Sequence, residues 1–134
     1  MIPRFRVWLP DTIQMLRVKA LVFEKDRTRC VCGYSFDFYL EDENATIMQS
    51  TGLLDKNGKE IFEGDIVRTT RFLGRVDEIG GFYEYEKDYV GVVKVLEGSW
   101  VIDTGIVAVR LWSEIDESEV LGNIYENPEL LEDE

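Results

Sequence analysis

From Thr51 to Trp112 the chain repeats one arrangement: short extended-looking runs, each closed by glycine or a polar turn. "DIVRTTRF" (65–72), "VGVVKVL" (90–96), "WVIDT" (100–104) and "IVAVRLW" (106–112) are such runs, with turn signals at Gly80-Gly81 and Gly98. Alternation and β-branched content suit the two-residue period of a strand, in which neighbours point to opposite faces. Closely spaced short strands punctuated by glycine predict a small barrel or roll.

The densest stretch is "TGLLDKNGKEIFEGDIV" (51–67). Asn57-Gly58 is a strong short hairpin signal, because both residues tolerate positive φ in a type I′ turn. The flanking alternation is weak, so a looser turn stays open. Glycine at 64 relieves a backbone conformation that a Cβ disfavours, and Asp65 can accept local backbone N–H groups. The stretch reads as a turn, a bend and a strand entry, not as a ligand-binding signature.

Other segments extend the β pattern. "FRVWL" (5–9) alternates, with Phe5, Val7 and Leu9 on one side and Arg6 and Trp8 on the other. "MLRVKALVF" (15–23) reads as one strand, "RCVCGYSFDFYL" (29–40) as strand, glycine break and strand, "TIMQS" (46–50) as a short strand and "EVLGNIY" (119–125) as a closing one. Ser113-x-x-Asp116 offers one helical turn, and Asn127 followed by Pro128 offers an N-cap and first helical position. The expected organisation is an N-terminal β segment (1–48) and a barrel region (49–134), folding as one cooperative unit.

Charge divides unevenly along the 134 residues. Residues 1–29 carry seven bases against three acids, whereas residues 113–134 carry nine acids and no base. The formal net charge is −12. A solvated acidic terminus that aids solubility accounts for this plainly; pairing of the basic head with the acidic tail is the sharper alternative. No apolar run approaches the ~20 residues of a membrane helix. The N-terminus lacks the apolar centre of a secretory signal. Two cysteines suit a reducing compartment. A cytoplasmic protein is expected.

The absence of histidine removes Ser-His-Asp and Cys-His catalysis, His-based metal sites and the usual neutral-pH proton shuttle. Cys30-Val-Cys32 points two sulfurs to one face of a strand. Two ligands fall short of a zinc site, and a redox pair needs an exposed thiol of low pKa, so buried, inert cysteine is the expectation. Glu84, Glu86 and Asp88 alternate, and three carboxylates on one face can hold a divalent ion; a plain solvent face competes with that reading. No phosphate-binding loop is present, and no cofactor is expected. Tyr83, Tyr85 and Tyr89 form a candidate interaction surface. Their bland reading is a lid over the core. The three interleaved acids set a field that repels a phosphate backbone, so a protein contact is favoured over nucleic acid.

Three stretches resemble the YopX family, small proteins encoded by phages and prophages: "RFRVW" (4–8), "MQSTGLLDKNGKEIFEGDIV" (48–67) and "EVLGNIYENPEL" (119–130). The resemblance implies a mainly β fold, with an SH3-like barrel or roll from about residue 50 onward, the N-terminal strands packed against it and short helical turns. It carries no reaction and no catalytic residue. It implies a phage-encoded, non-enzymatic accessory module acting in the host cytoplasm on an unknown host or phage protein. An acidic nucleic-acid mimic and a nucleic-acid-binding barrel are the alternatives. Pairing across apolar edge strands such as 90–96 is expected to make a homo-oligomer.

Plain solvation of the acidic end predicts the same light-scattering mass and unfolding midpoint at low and high salt. Head-to-tail pairing predicts that both change.

Overall fold

The computed structural model describes residues 2–33, 36–111 and 117–131. The chain is mainly β and divides into two compact units, Met1–Gly52 and Leu53–Glu134. Among the described residues no helix is long and apolar enough to cross a membrane.

In the first unit β1 (Phe5–Leu9) pairs antiparallel with β2 (Gln14–Arg17) and with the start of β6 (Thr46–Leu54). Partners on both edges make β1 an interior strand of its sheet. Val7, Trp8 and Leu9 are all buried, although alternation alone would leave Trp8 on a wet side. A second sheet has the order β3 (Ala20–Phe23), β4 (Thr28–Val31), β5 (Asp37–Tyr39). The expected single strand over 15–23 is therefore two strands in two sheets. The break falls at Val18 and Lys19, whose amides bond the carbonyls of Phe5 and Val31, one on each sheet.

The second unit is a curled antiparallel sheet in the order β11 (Ala108–Arg110), β10 (Ser99–Asp103), β9 (Phe82–Leu96), β8 (Asp65–Val76), β12 (Glu117–Asn123). Its core is Ile61 from the short β7 (Glu60–Phe62) with Val67, Val93, Ile102 and Leu111; Leu53, Trp100 and Val120 pack against it. Each such side chain contributes about 1.5–3 kcal/mol by burial. The segment 90–96 lies in an interior strand of the sheet order, not in an edge strand: it pairs with β8 up to Val92 and with β10 from Val92 to Leu96. The β9–β10 connection is a two-residue turn at Glu97 (φ 51°) and Gly98 (φ 79°), both left-handed as a type I′ turn requires.

The turn at 55–59 is the looser kind. Gly58 is left-handed (φ 80°) and Asn57 is not, while the Asp55 N–H donates to the Lys59 carbonyl at 2.7 Å. Asp55 organises it. One carboxylate oxygen accepts the N–H groups of Asn57 (2.9 Å) and Lys59 (2.8 Å), and the other accepts Val120 N–H (3.0 Å) on β12. Gly64 (φ 87°) turns the chain into β8, and Asp65, buried, accepts Phe62 N–H at 2.7 Å, as expected of that segment. The closing strand β12 is followed by a 3-10 turn, Pro128–Leu131. Asn127 does not cap it with its side chain; that oxygen accepts Asn123 N–H at 3.2 Å instead. The helical turn expected from Ser113 to Asp116 lies outside the described residues.

Gly91 faces Val67 across the ladder, and a Cβ there would overlap the Asp103 carbonyl and lie 2.8 Å from Ile102 Cγ2. Backbone cannot swing aside as a side-chain tip does. Gly91→Ala is expected to destabilise the protein by about 3 kcal/mol, read as a lowered urea midpoint. Burial pushes the Asp55 carboxyl up, but the amides of Val120, Lys59 and Asn57 overrule it and hold it below the ordinary value. Its stabilisation is therefore fully present above about pH 4 and lost as pH falls through the lowered folded value. Asp55→Ala strands three amides and is expected to cost about 3 kcal/mol at neutral pH, with a flatter acid limb in a pH-dependent denaturation series.

Candidate functional site

β8 and β9 are longer than the sheet that roots them. β12 accompanies β8 only to Thr70, and β10 accompanies β9 only from Val92. From the Arg71–Lys87 pair to the Val76–Phe82 pair the two strands run on, among the described residues, as a two-stranded ribbon. Asp77 closes it with the device Asp55 uses: one carboxylate oxygen accepts the N–H groups of Ile79 (3.1 Å) and Gly81 (2.6 Å). β9 is longer than the run expected at 90–96: it has 15 residues and begins at Phe82.

Register decides what each face presents, because directly opposed residues share a face. Leu73 opposes Tyr85, Arg75 opposes Tyr83, Arg71 opposes Lys87 and Thr69 opposes Tyr89. Among the described residues, one face of the ladder thus gathers Tyr83, Tyr85 and Tyr89 with three cations and no carboxylate. The Tyr83 and Tyr85 rings are 6.0 Å apart and tilted by 40°. Lys87 Nζ lies 5.3 Å and Arg71 Cζ 5.9 Å from the Tyr89 ring centre, within cation–π range. Arg71 also donates to the Arg110 carbonyl at 2.8 Å.

The opposite face carries Phe72 opposing Glu86, Gly74 opposing Glu84, Thr70 opposing Asp88 and Val76 opposing Phe82. The Phe82 ring leans across Gly74, where a Cβ would meet it at 2.7 Å. Thr70 donates to Asp88 at 2.8 Å. Glu84, Glu86 and Asp88 are exposed along that face. Among the described residues no group of three or more His, Cys, Asp or Glu is placed to hold a metal ion.

The tyrosine rings do not roof the core. Tyr83 is 45% and Tyr85 38% exposed, and Tyr89 is half-buried. They continue the odd-numbered face of β9 that supplies Val93 to the core, past the point where other strands cover it. The acids assumed to surround the tyrosines lie on the other side of the ribbon. The alternation within 82–89 carried half of that signal; the contribution of Arg71 and Arg75 required the register across the turn.

The other candidates lie in the first unit. Cys30 and Cys32 do share a side, with sulfurs 3.7 Å apart and unbonded. Burial, with the neighbouring Cys32 thiol, pushes Cys30 up to about 12, and burial also raises Cys32. Both shifts favour the thiol over the thiolate; Cys30 is buried and Cys32 half-buried. An open cleft of about 560 Å³ has a mostly apolar lining, with Arg4 and Lys19 its charged members. Neither place brings an acid and a base together.

The fold and this site define an antiparallel β protein with an exposed two-stranded arm of segregated charge. The family model described as YopX protein matches residues 4–132, and the chain belongs to the YopX family. The crystal structure of protein EF1440 from Enterococcus faecalis is similar, with a TM-score of 0.57 and 25% identity, over 98% of this chain and 99% of that one. Among curated proteins none matches.

Native Cys30 is expected to resist iodoacetamide at pH 8 and to react once the protein is unfolded in urea, measured by mass spectrometry. The raised folded value also predicts stability that is intact below about pH 9 and declines as pH rises toward 12.

Proposed function

We propose that the chain is a non-enzymatic accessory module, encoded by a phage or prophage, which docks onto another macromolecule through the β8–β9 ribbon. The carrying observation is the ribbon itself. It exposes large apolar and aromatic side chains on both faces: Phe72, Val76 and Phe82 on one, Tyr83 and Tyr85 on the other. A two-stranded ribbon is marginal in water without a covered face, and contiguous exposed apolar surface marks contact sites. Tyrosine and arginine are the residue types that dominate docking energetics. Family membership and the lack of histidine support a binding role over a catalytic one. Under the same reading the curled sheet of the second unit is an SH3-like roll that serves as the ribbon's mount, and the protein works in the host cytoplasm.

A photo-crosslinking amino acid at position 85, compared with one at the 93% exposed Ile106, tests docking in host cells. Discrete adducts from position 85 and none from position 106 are expected. Equal labelling from both positions overturns the ribbon as the contact. Hydrolase or transferase activity abolished by a single point substitution overturns the non-enzymatic reading.

A further inference from the structure

We propose that the tyrosine face of the ribbon is a binding platform for single-stranded nucleic acid. The inference rests on the ribbon as docking element and names its partner. Three observations carry it. Among the described residues the face pairs three aromatic rings with three cations, Arg75, Lys87 and the already hydrogen-bonded Arg71, and no carboxylate. Cations and rings are interleaved rather than separate: Arg75 opposes Tyr83, and Arg71 and Lys87 flank Tyr89. The rings of Tyr83 and Tyr85 stand side by side, 6.0 Å apart and tilted, so each offers a face to a separate base of an extended strand.

Each partner chemistry can be compared with this layout. Single strands combine a polyanionic backbone with free π-faces, and their binders supply cations and stacking rings along one groove. A duplex hides its base faces in the stack, so it would use the cations and leave the rings idle. An acidic peptide would do the same. A second copy of this chain could offer Glu84, Glu86 and Asp88. That contact would span only a six-pair ribbon, about 20 Å long at ~3.3 Å per residue and about 10 Å wide, roughly 200 Å², far smaller than the ~800 Å² per partner of a stable interface.

The formal net charge of −12 argues against a polyanion only if its acids face the same way. The ribbon's own acids lie on the far face, and at physiological salt charges farther than about 8 Å are largely screened. Three phosphate contacts imply a modest salt dependence, a log–log slope of about −2 for single strands.

The test is fluorescence anisotropy of the full-length protein with a labelled 12-mer of oligothymidylate, from 50 to 200 mM salt. Binding that weakens about fifteen-fold over that range is expected. Tyr83→Ala and Tyr85→Ala should each weaken it about tenfold, and Arg75→Gln or Lys87→Gln should flatten the salt slope by about 0.7 each. Glu84→Gln and Glu86→Gln, on the opposite face, should not weaken it. Circular dichroism checks that each variant keeps its sheet; the glutamine variants at 75 and 87 stand if an alanine variant misfolds. No binding at 50 mM salt overturns the proposal, as does binding unchanged in the tyrosine variants. Equal competition by polyglutamate overturns it in favour of an acidic protein, and salt-sensitive self-association detected by sedimentation without oligonucleotide binding overturns it in favour of a second copy. Retained adducts at position 85 with no oligonucleotide binding remove this assignment and leave the docking reading in place. Loss of both removes both.

Discussion

One antiparallel ladder organises the second unit. Eleven consecutive pairs join β8 to β9, from Ile66–Val92 to Val76–Phe82. At its root the ladder is flanked on both sides and contributes Val67 and Val93 to the core. At its tip the same hydrogen-bond pattern continues with no flanking strand among the described residues. Since side-chain facing is fixed by the period of two, the register that buries Val67 and Val93 also lines up the half-buried Leu73 with the exposed Tyr83 and Tyr85. A one-residue slip would exchange the faces and empty the core. The composition of the exposed surface is therefore locked by packing at the other end.

Two aspartates close tight turns by the same chemistry, Asp77 at the tip of that ladder and Asp55 before β7. Asp55 and Asp77 each place one carboxylate oxygen over the amides two and four residues on. Asp55 additionally reaches Val120 on β12, coupling the turn before β7 to the strand that flanks β8. Neither depends on a salt bridge; both work by accepting backbone N–H groups that a tight turn would otherwise leave unpaired. This explains how a chain with 27 acids uses some of them as structural fasteners while others remain at the surface.

Much of this was legible from residue order, and the misses share a cause. The runs at 5–9, 65–72 and 100–104, the turn at 57–58 and the Gly64-Asp65 entry depend on local preference, and each lies where local preference puts it. The division of 15–23 into β2 and β3 was hidden because the break at Val18 and Lys19 is set by partners far along the chain, the carbonyls of Phe5 and Val31. The start of β9 at Phe82 was only half legible: "FYEYEKDY" alternates as a strand does, but it has no aliphatic face to tie it to a core. The segregation of rings and cations from acids needed both strands and their register. The YopX resemblance, carried by three long motifs, pointed to the family that the whole-chain match confirms. It could not point to the ribbon, which lies mainly in the variable stretch between motifs.

A ladder held at one end and free at the other does not open uniformly. Amides near Phe82 and Val76 can exchange their hydrogens through fraying of the tip alone, whereas those near Val67 and Val93 require the sheet to come apart. Stiffness thus grades from turn to root along a single pair of strands. Anything that grips the outer pairs would add the flank they lack and raise protection there first, so the arm doubles as a built-in gauge of its own occupancy.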